Sequence, residues 1–154
     1  MPTASSLLRL IAALSLCGLL AGCQGKPDTA ASSPPSWSMI MYSLDGNSGR
    51  TPPSDANYHG WTILQTCPIT DLEQMNSIRQ ALQQSIDDSD GRSVRCFIPR
   101  HGLREIDLQG RVVDHVICFQ CLNYHEYIDE QSRTSGTLTR SAKDTFNKIL
   151  SQCN

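Results

Sequence analysis

The stretch SVRCFIPRHGLREIDLQGRVVDHVICF (Ser93–Phe119) decides the fold class. It reads as three strands in succession. Ser93–Ile98 is the first, the partly alternating Leu103, Ile106 and Leu108 mark the second, and Arg111–Phe119 is the third. Pro99–Gly102 and Gln109-Gly110 are the turns between them. Links this short favour antiparallel neighbours, because a parallel return needs a crossover of about a dozen residues.

Working outward, Trp61-Thr62-Ile63-Leu64 reads as an earlier strand that Pro68 ends. Thr70-Asp71-Leu72-Glu73 has the capping-box spacing, with Thr70 as cap. Leu72, Met75, Ile78 or Arg79, Leu82 and Ile86 then recur at helical intervals, until Asp87–Gly91 stops the helix with turn chemistry. Beyond Phe119, Asn123–Ile128 is a further strand and Asp129–Thr139 is polar enough to read as a loop. Ser141 is placed to cap a last helix with Ala142, Phe146, Ile149, Leu150 and Cys153 on one side. The expectation is an α+β domain of two layers, a mostly antiparallel sheet with two helices packed on one face. Its span is residues 58–154, with Trp37–Leu44 a short strand free to dock onto it.

The amino terminus has a different character. Arg9 is the only charged side chain before an apolar run from Leu10 to Leu20, too short to span a bilayer but the length of a secretory h-region. Leu20-Ala21-Gly22-Cys23 follows. This box resembles the cleavage site of bacterial lipoprotein signal peptides. The resemblance implies removal of residues 1–22, a diacylglyceryl group on Cys23 and acylation of the new amino terminus, hence a palmitate-bearing lipoprotein. Gln24, a residue other than Asp, implies the outer membrane in that family. Residues 23–57 are then the lipidated cysteine and a spacer rich in Gly, Pro, Ala, Ser and Thr. Two or more acyl chains suffice for anchoring, at about 0.8 kcal/mol per buried methylene.

Loss of Arg9 with the signal moves the net charge from −2 to −3. A mildly acidic domain argues against a nucleic-acid surface, which needs clustered Lys and Arg. The expected contacts are the membrane, through the lipid, and an envelope protein partner.

Cys17 leaves with the signal and Cys23 takes the lipid, which leaves Cys67, Cys96, Cys118, Cys121 and Cys153. Exported thiols tend to pair, and five allow at most two bridges. Three readings compete for Cys96, Cys118 and Cys121. One is a disulfide from Cys96 to Cys118 or Cys121, with Cys67–Cys153 as the second bridge. The next is a zinc site of Cys96, His101, Cys118 and Cys121, whose donor set matches a closed tetrahedral centre. The last is a redox dithiol at Cys118-Phe119-Gln120-Cys121, although that motif follows a strand and lacks the helix start that activates such pairs. Without the zinc reading no cofactor is expected.

The segments Cys96–Arg104 and Val116–Cys121, of the form CFxPRHGxR and ICFxC, resemble a small family of uncharacterised bacterial secreted and lipoprotein domains. The likeness covers about Tyr58 to Leu150 and implies a shared fold, with no activity attached. Arg100-His101-Gly102 is also similar to the phosphate-binding motif of histidine phosphatases, but here it sits well inside the domain and lacks a second His–Gly segment. Arg100, His101 and Arg104 thus stand as a candidate anion site, catalytic or not. His59, His115 and His125 are isolated in sequence and read as packed or solvated. The resulting expectation is a non-catalytic binding or structural domain held by disulfides. Zinc binding is the alternative, and a phosphatase-like site is third.

Overall fold

The structure is a computed structural model that describes residues 38–52 and 54–153. Cys17, Cys23 and the rest of the expected signal and spacer up to Trp37 lie outside the described residues. The elements are β1 (Ser38–Asp45), β2 (Asn57–Tyr58), β3 (Trp61–Ile69), α1 (Leu72–Asp87), β4 (His101–Ile106), β5 (Val112–Cys118), β6 (Asn123–Ile128), β7 (Gln131–Thr137) and α2 (Lys143–Gln152). All strands join one antiparallel sheet in the order β2-β3-β1-β4-β5-β6-β7. The domain is α+β, as the sequence implies.

Both helices pack on one face. Met39, Met41, Cys67, Ile69, Leu103 and Ile117 rise from the sheet to meet Met75, Ile78 and Leu82 of α1 and Phe146, Ile149 and Leu150 of α2. Each of the buried Met, Ile, Leu and Phe side chains contributes about 1.5–3 kcal/mol relative to exposure, which holds the two layers together. The other face carries a second cluster of Tyr42, Leu44, Tyr58, Trp61, Val116 and Tyr127. Alternation along β5 divides the two: Ile117 faces the helices, whereas Asp114 and Val116 face away.

The strand expected over Trp37–Leu44 forms as β1 and lies inside the sheet, between β3 and β4. The folded unit therefore takes in residues ahead of the 58–154 span. Several local expectations are corrected. Ser93–Ile98 is not a strand, and Pro99–Gly102 is not a turn: β4 begins at His101. The polar segment Gln131–Thr137, expected as loop, is β7. Pro68 does not end the early strand, which runs to Ile69. Proline is tolerated because β2 pairs only with Trp61 and Thr62, so β3 is an edge at that end. Asp71, not Thr70, caps α1, accepting from the Gln74 N–H at 2.8 Å. Leu72 is 68% exposed, so the apolar face starts at Met75. At the start of α2, Ala142 takes the cap position without a side-chain bond, and the Ser141 hydroxyl sits 2.9 Å from that of Thr139.

Candidate functional site

Two bridges form, Cys67–Cys153 and Cys96–Cys121, and Cys118 is a buried free thiol. The domain is disulfide-stabilised. Cys67 on β3 holds the end of α2, and the Gln65 amide beside it donates to the carbonyls of Leu150 and Cys153 at 3.1 and 2.6 Å. Cys96 ties the irregular 93–98 segment to the turn between β5 and β6.

The four zinc candidates do not assemble. Cys96 and Cys121 are bonded to each other, and the His101 ring packs edge-on to Phe119 and Phe146, with Nε2 2.9 Å from Asn147 Oδ1. Among the described residues no three His, Cys, Asp or Glu side chains are grouped to hold a metal ion. Nor do Arg100, His101 and Arg104 converge on an anion. Strand alternation sends His101 to the helix face and Arg104 to the opposite one, while exposed Arg100 bonds the Asn47 side chain at 3.1 Å.

The arrangement with the most chemistry lies on the face away from the helices, around Asp114. Its side chain is 1% exposed. Arg104, on the neighbouring strand and directly opposite, donates through Nε and Nη2 to the two carboxylate oxygens at 2.8 and 2.7 Å. This is the bidentate fork that guanidinium geometry favours. His59 Nε2 also meets Oδ2, at 2.7 Å. Burial alone would raise the Asp114 pKa, but the hydrogen bonds and charges of Arg104 and His59 outweigh it and hold the carboxyl below its usual value.

Local sequence delivers His59 to this point. Tyr58 and Trp61 pair across the two-residue turn His59-Gly60, and both turn residues have positive φ, 50° and 85°. That is the backbone of the tight hairpin turn whose twist matches its strands. The His59 ring lies flat on Tyr127, centroids 3.8 Å apart, and meets Tyr58 edge-on. The Tyr58 hydroxyl donates to the Leu103 carbonyl at 2.7 Å, its ring leans on Tyr42, and the Arg104 guanidinium sits 5.7 Å from its centroid. Gly102 makes the seat possible, since a Cβ there would come within 2.6 Å of the Tyr58 ring. Desolvation pushes the Tyr58 pKa well up, so the phenol stays a donor.

Beside this cluster opens a cleft of about 670 Å³ whose walls include Tyr42, Arg50, Asp55, His59, Arg104 and Glu130. Arg50 Nη2 donates to the Tyr127 hydroxyl at 3.3 Å. Rigid aromatic walls, two guanidiniums and two carboxylates suit recognition of a polar, ring-bearing ligand. Sequence reading missed this site. In the sequence, Arg104 reads as part of an anion site with Arg100 and His101, and His59 reads as isolated. The available signal was Asp114 itself, a charge set inside the apolar run Val112–Phe119.

Two histidines on the helix side give a pH dependence. His101 and His115 both have lowered pKa values, chiefly because burial disfavours the charged form. Asn147 partly offsets this at His101, and Glu126 and Glu105 partly offset it at His115. A lowered histidine pKa means that the unfolded chain binds the proton first. The contribution is fully present above the ordinary value of 6.5 and is lost as the pH falls through and below it. Urea midpoints are therefore expected to drop between pH 7.5 and pH 5, at constant m-value, about one pH region above the carboxylate range. A flat profile over that interval would contradict the burial of both rings.

No protein-family model matches the chain, and no match was found among curated proteins or solved structures.

Proposed function

We propose that this chain is an exported, lipid-anchored envelope protein whose domain binds a partner or ligand without catalysis, at the cleft beside Asp114. The observation that carries the reading is the pairing of four cysteines into two bridges. Such pairing is the habit of oxidising compartments, and it agrees with the secretory run and the Leu20–Cys23 box. The lipid on Cys23 supplies the membrane contact and the outer membrane is the address that Gln24 suggests. Non-catalytic binding is supported by the way His59, Tyr58 and Arg104 are committed to internal partners, which makes them a rigid wall.

The test is to express the full chain in a bacterium fed labelled palmitate and to separate membrane from soluble fractions. Wild type is expected to carry label, to lose its first 22 residues and to sediment with the outer membrane. Cys23→Ala is expected to lose the label and remain uncleaved. Unlabelled, full-length wild type in the soluble interior would overturn the proposal.

A further inference from the structure

We propose that Cys96, Cys118 and Cys121 form a thiol–disulfide exchange site, in which Cys118 can take Cys121 from Cys96 and release Cys96 as a free thiol. The three cysteines share one bridge, and Cys121 sits between two partners. Its Cα lies 5.6 Å from that of Cys96. Toward Cys118 it closes the turn between β5 and β6, its N–H bonding the Cys118 carbonyl at 3.2 Å and the Cys118 sulfur at 3.3 Å. Residues at the ends of such a turn have Cα atoms within about 7 Å, and a disulfide spans about 4.4–6.8 Å. The turn is thus already close to the geometry of the alternative bridge.

The exchange is balanced without an outside oxidant. Deprotonated Cys118 attacks the Cys121 sulfur, and the Cys118–Cys121 bond forms as the Cys96–Cys121 bond breaks. The electron pair leaves on Cys96, which takes up a proton in place of the one that Cys118 gave to solvent. What the step would release is set by the contacts of the Cys118 sulfur. It accepts from the Ile98 N–H at 3.4 Å and donates to the Ile98 carbonyl at 3.2 Å. Exchange would therefore remove the covalent tie at Cys96 and loosen the sulfur's hold on Ile98 together. Between those two residues Phe97 stacks on His125 and meets Trp61 edge-on, covering part of the sheet face away from the helices. Cys96 is half-buried whereas Cys118 and Cys121 are buried, so the exchanged form presents the more accessible thiol.

The experiment uses the full chain, purified oxidised and held without reductant near the ordinary thiol pKa of about 8.5. At intervals it is alkylated in the native state with N-ethylmaleimide, digested without reduction and mapped by mass spectrometry. Label on Cys96 is expected to rise in equal measure with a Cys118–Cys121 cross-link, and to vanish in Cys118→Ser. An unchanged Cys96–Cys121 peptide, with label confined to Cys118 or absent, would overturn the proposal. Cys96→Ser tests reach directly: after oxidation it should hold a Cys118–Cys121 bridge, and two persisting thiols there would also overturn it. None of these outcomes bears on lipid attachment at Cys23, which the palmitate experiment reads separately.

Discussion

Asp114→Ala is expected to lower the unfolding free energy by about 3–5 kcal/mol, because it removes one partner of a buried ion pair and leaves the other uncompensated. The carboxylate accepts both forks of Arg104 and the His59 ring, and its side chain has almost no solvent of its own. Arg104 is 29% exposed, so its stranded charge can draw in some water, which places the loss toward the lower end of that range. Urea denaturation at neutral pH measures it, with the m-value as a check on the two-state assumption. The double variant Asp114→Leu with Arg104→Met should recover part of the loss, since apolar groups in place of both partners remove the unpaired charge. Asp114→Asn should fall between, as an amide still accepts one hydrogen bond from the guanidinium. A loss below about 1 kcal/mol for the alanine variant would place the pair among weak surface contacts and contradict its burial.

The same residue shows why this site is hard to read from the chain alone. Arg104 and Asp114 are ten residues apart and fall opposite each other only once the register of β4 on β5 is set. His59 comes from 55 residues away, through a turn whose glycine gives no hint of which side chain it will aim. Local patterns carried further for the fold. Met75, Ile78 and Leu82 recur strongly enough to define α1, and short links define antiparallel neighbours around β4 and β5. They carry less where tertiary structure replaces pattern. Gln131–Thr137 has no apolar alternation because β7 is an edge strand that draws its order from pairing with β6. Val94, Phe97 and Ile98 suggest a strand, yet the segment is held by a bridge at Cys96, by the Cys118 sulfur and by the Asn123 amide on the Cys96 carbonyl. The helix-facing candidate His101 and the outward-facing Arg104 lie only three residues apart in sequence. The pleat separates them.

Cys67→Ala with Cys153→Ala is expected to cost more stability than Cys96→Ala with Cys121→Ala. Chain-entropy reasoning assigns a bridge between residues 86 apart about 4–5 kcal/mol, against about 3.5 kcal/mol for one between residues 25 apart. Structure points the same way. Cys67 is fully buried under the helices, and its bridge fixes the carboxyl end of α2, a helix of 10 residues too short to persist without packing. Without that bridge, Gln65 alone still binds the last turn through the Leu150 and Cys153 carbonyls, and the Phe146, Ile149 and Leu150 contacts must hold the rest. The 96–121 bridge secures an irregular segment at the rim, whose release leaves the two-layer core in place. Alanine pairs are the right comparison, since a single substitution would leave a new thiol free to attack the other bridge. Denaturant midpoints of the two double variants give the order. Amide exchange locates the loss, with faster exchange expected across α2 in the first variant and confined near residues 93–98 and the β5–β6 turn in the second. A first variant that keeps α2 protected and loses less than the second would mean that helix packing, and not the bridge from Cys67, closes the domain.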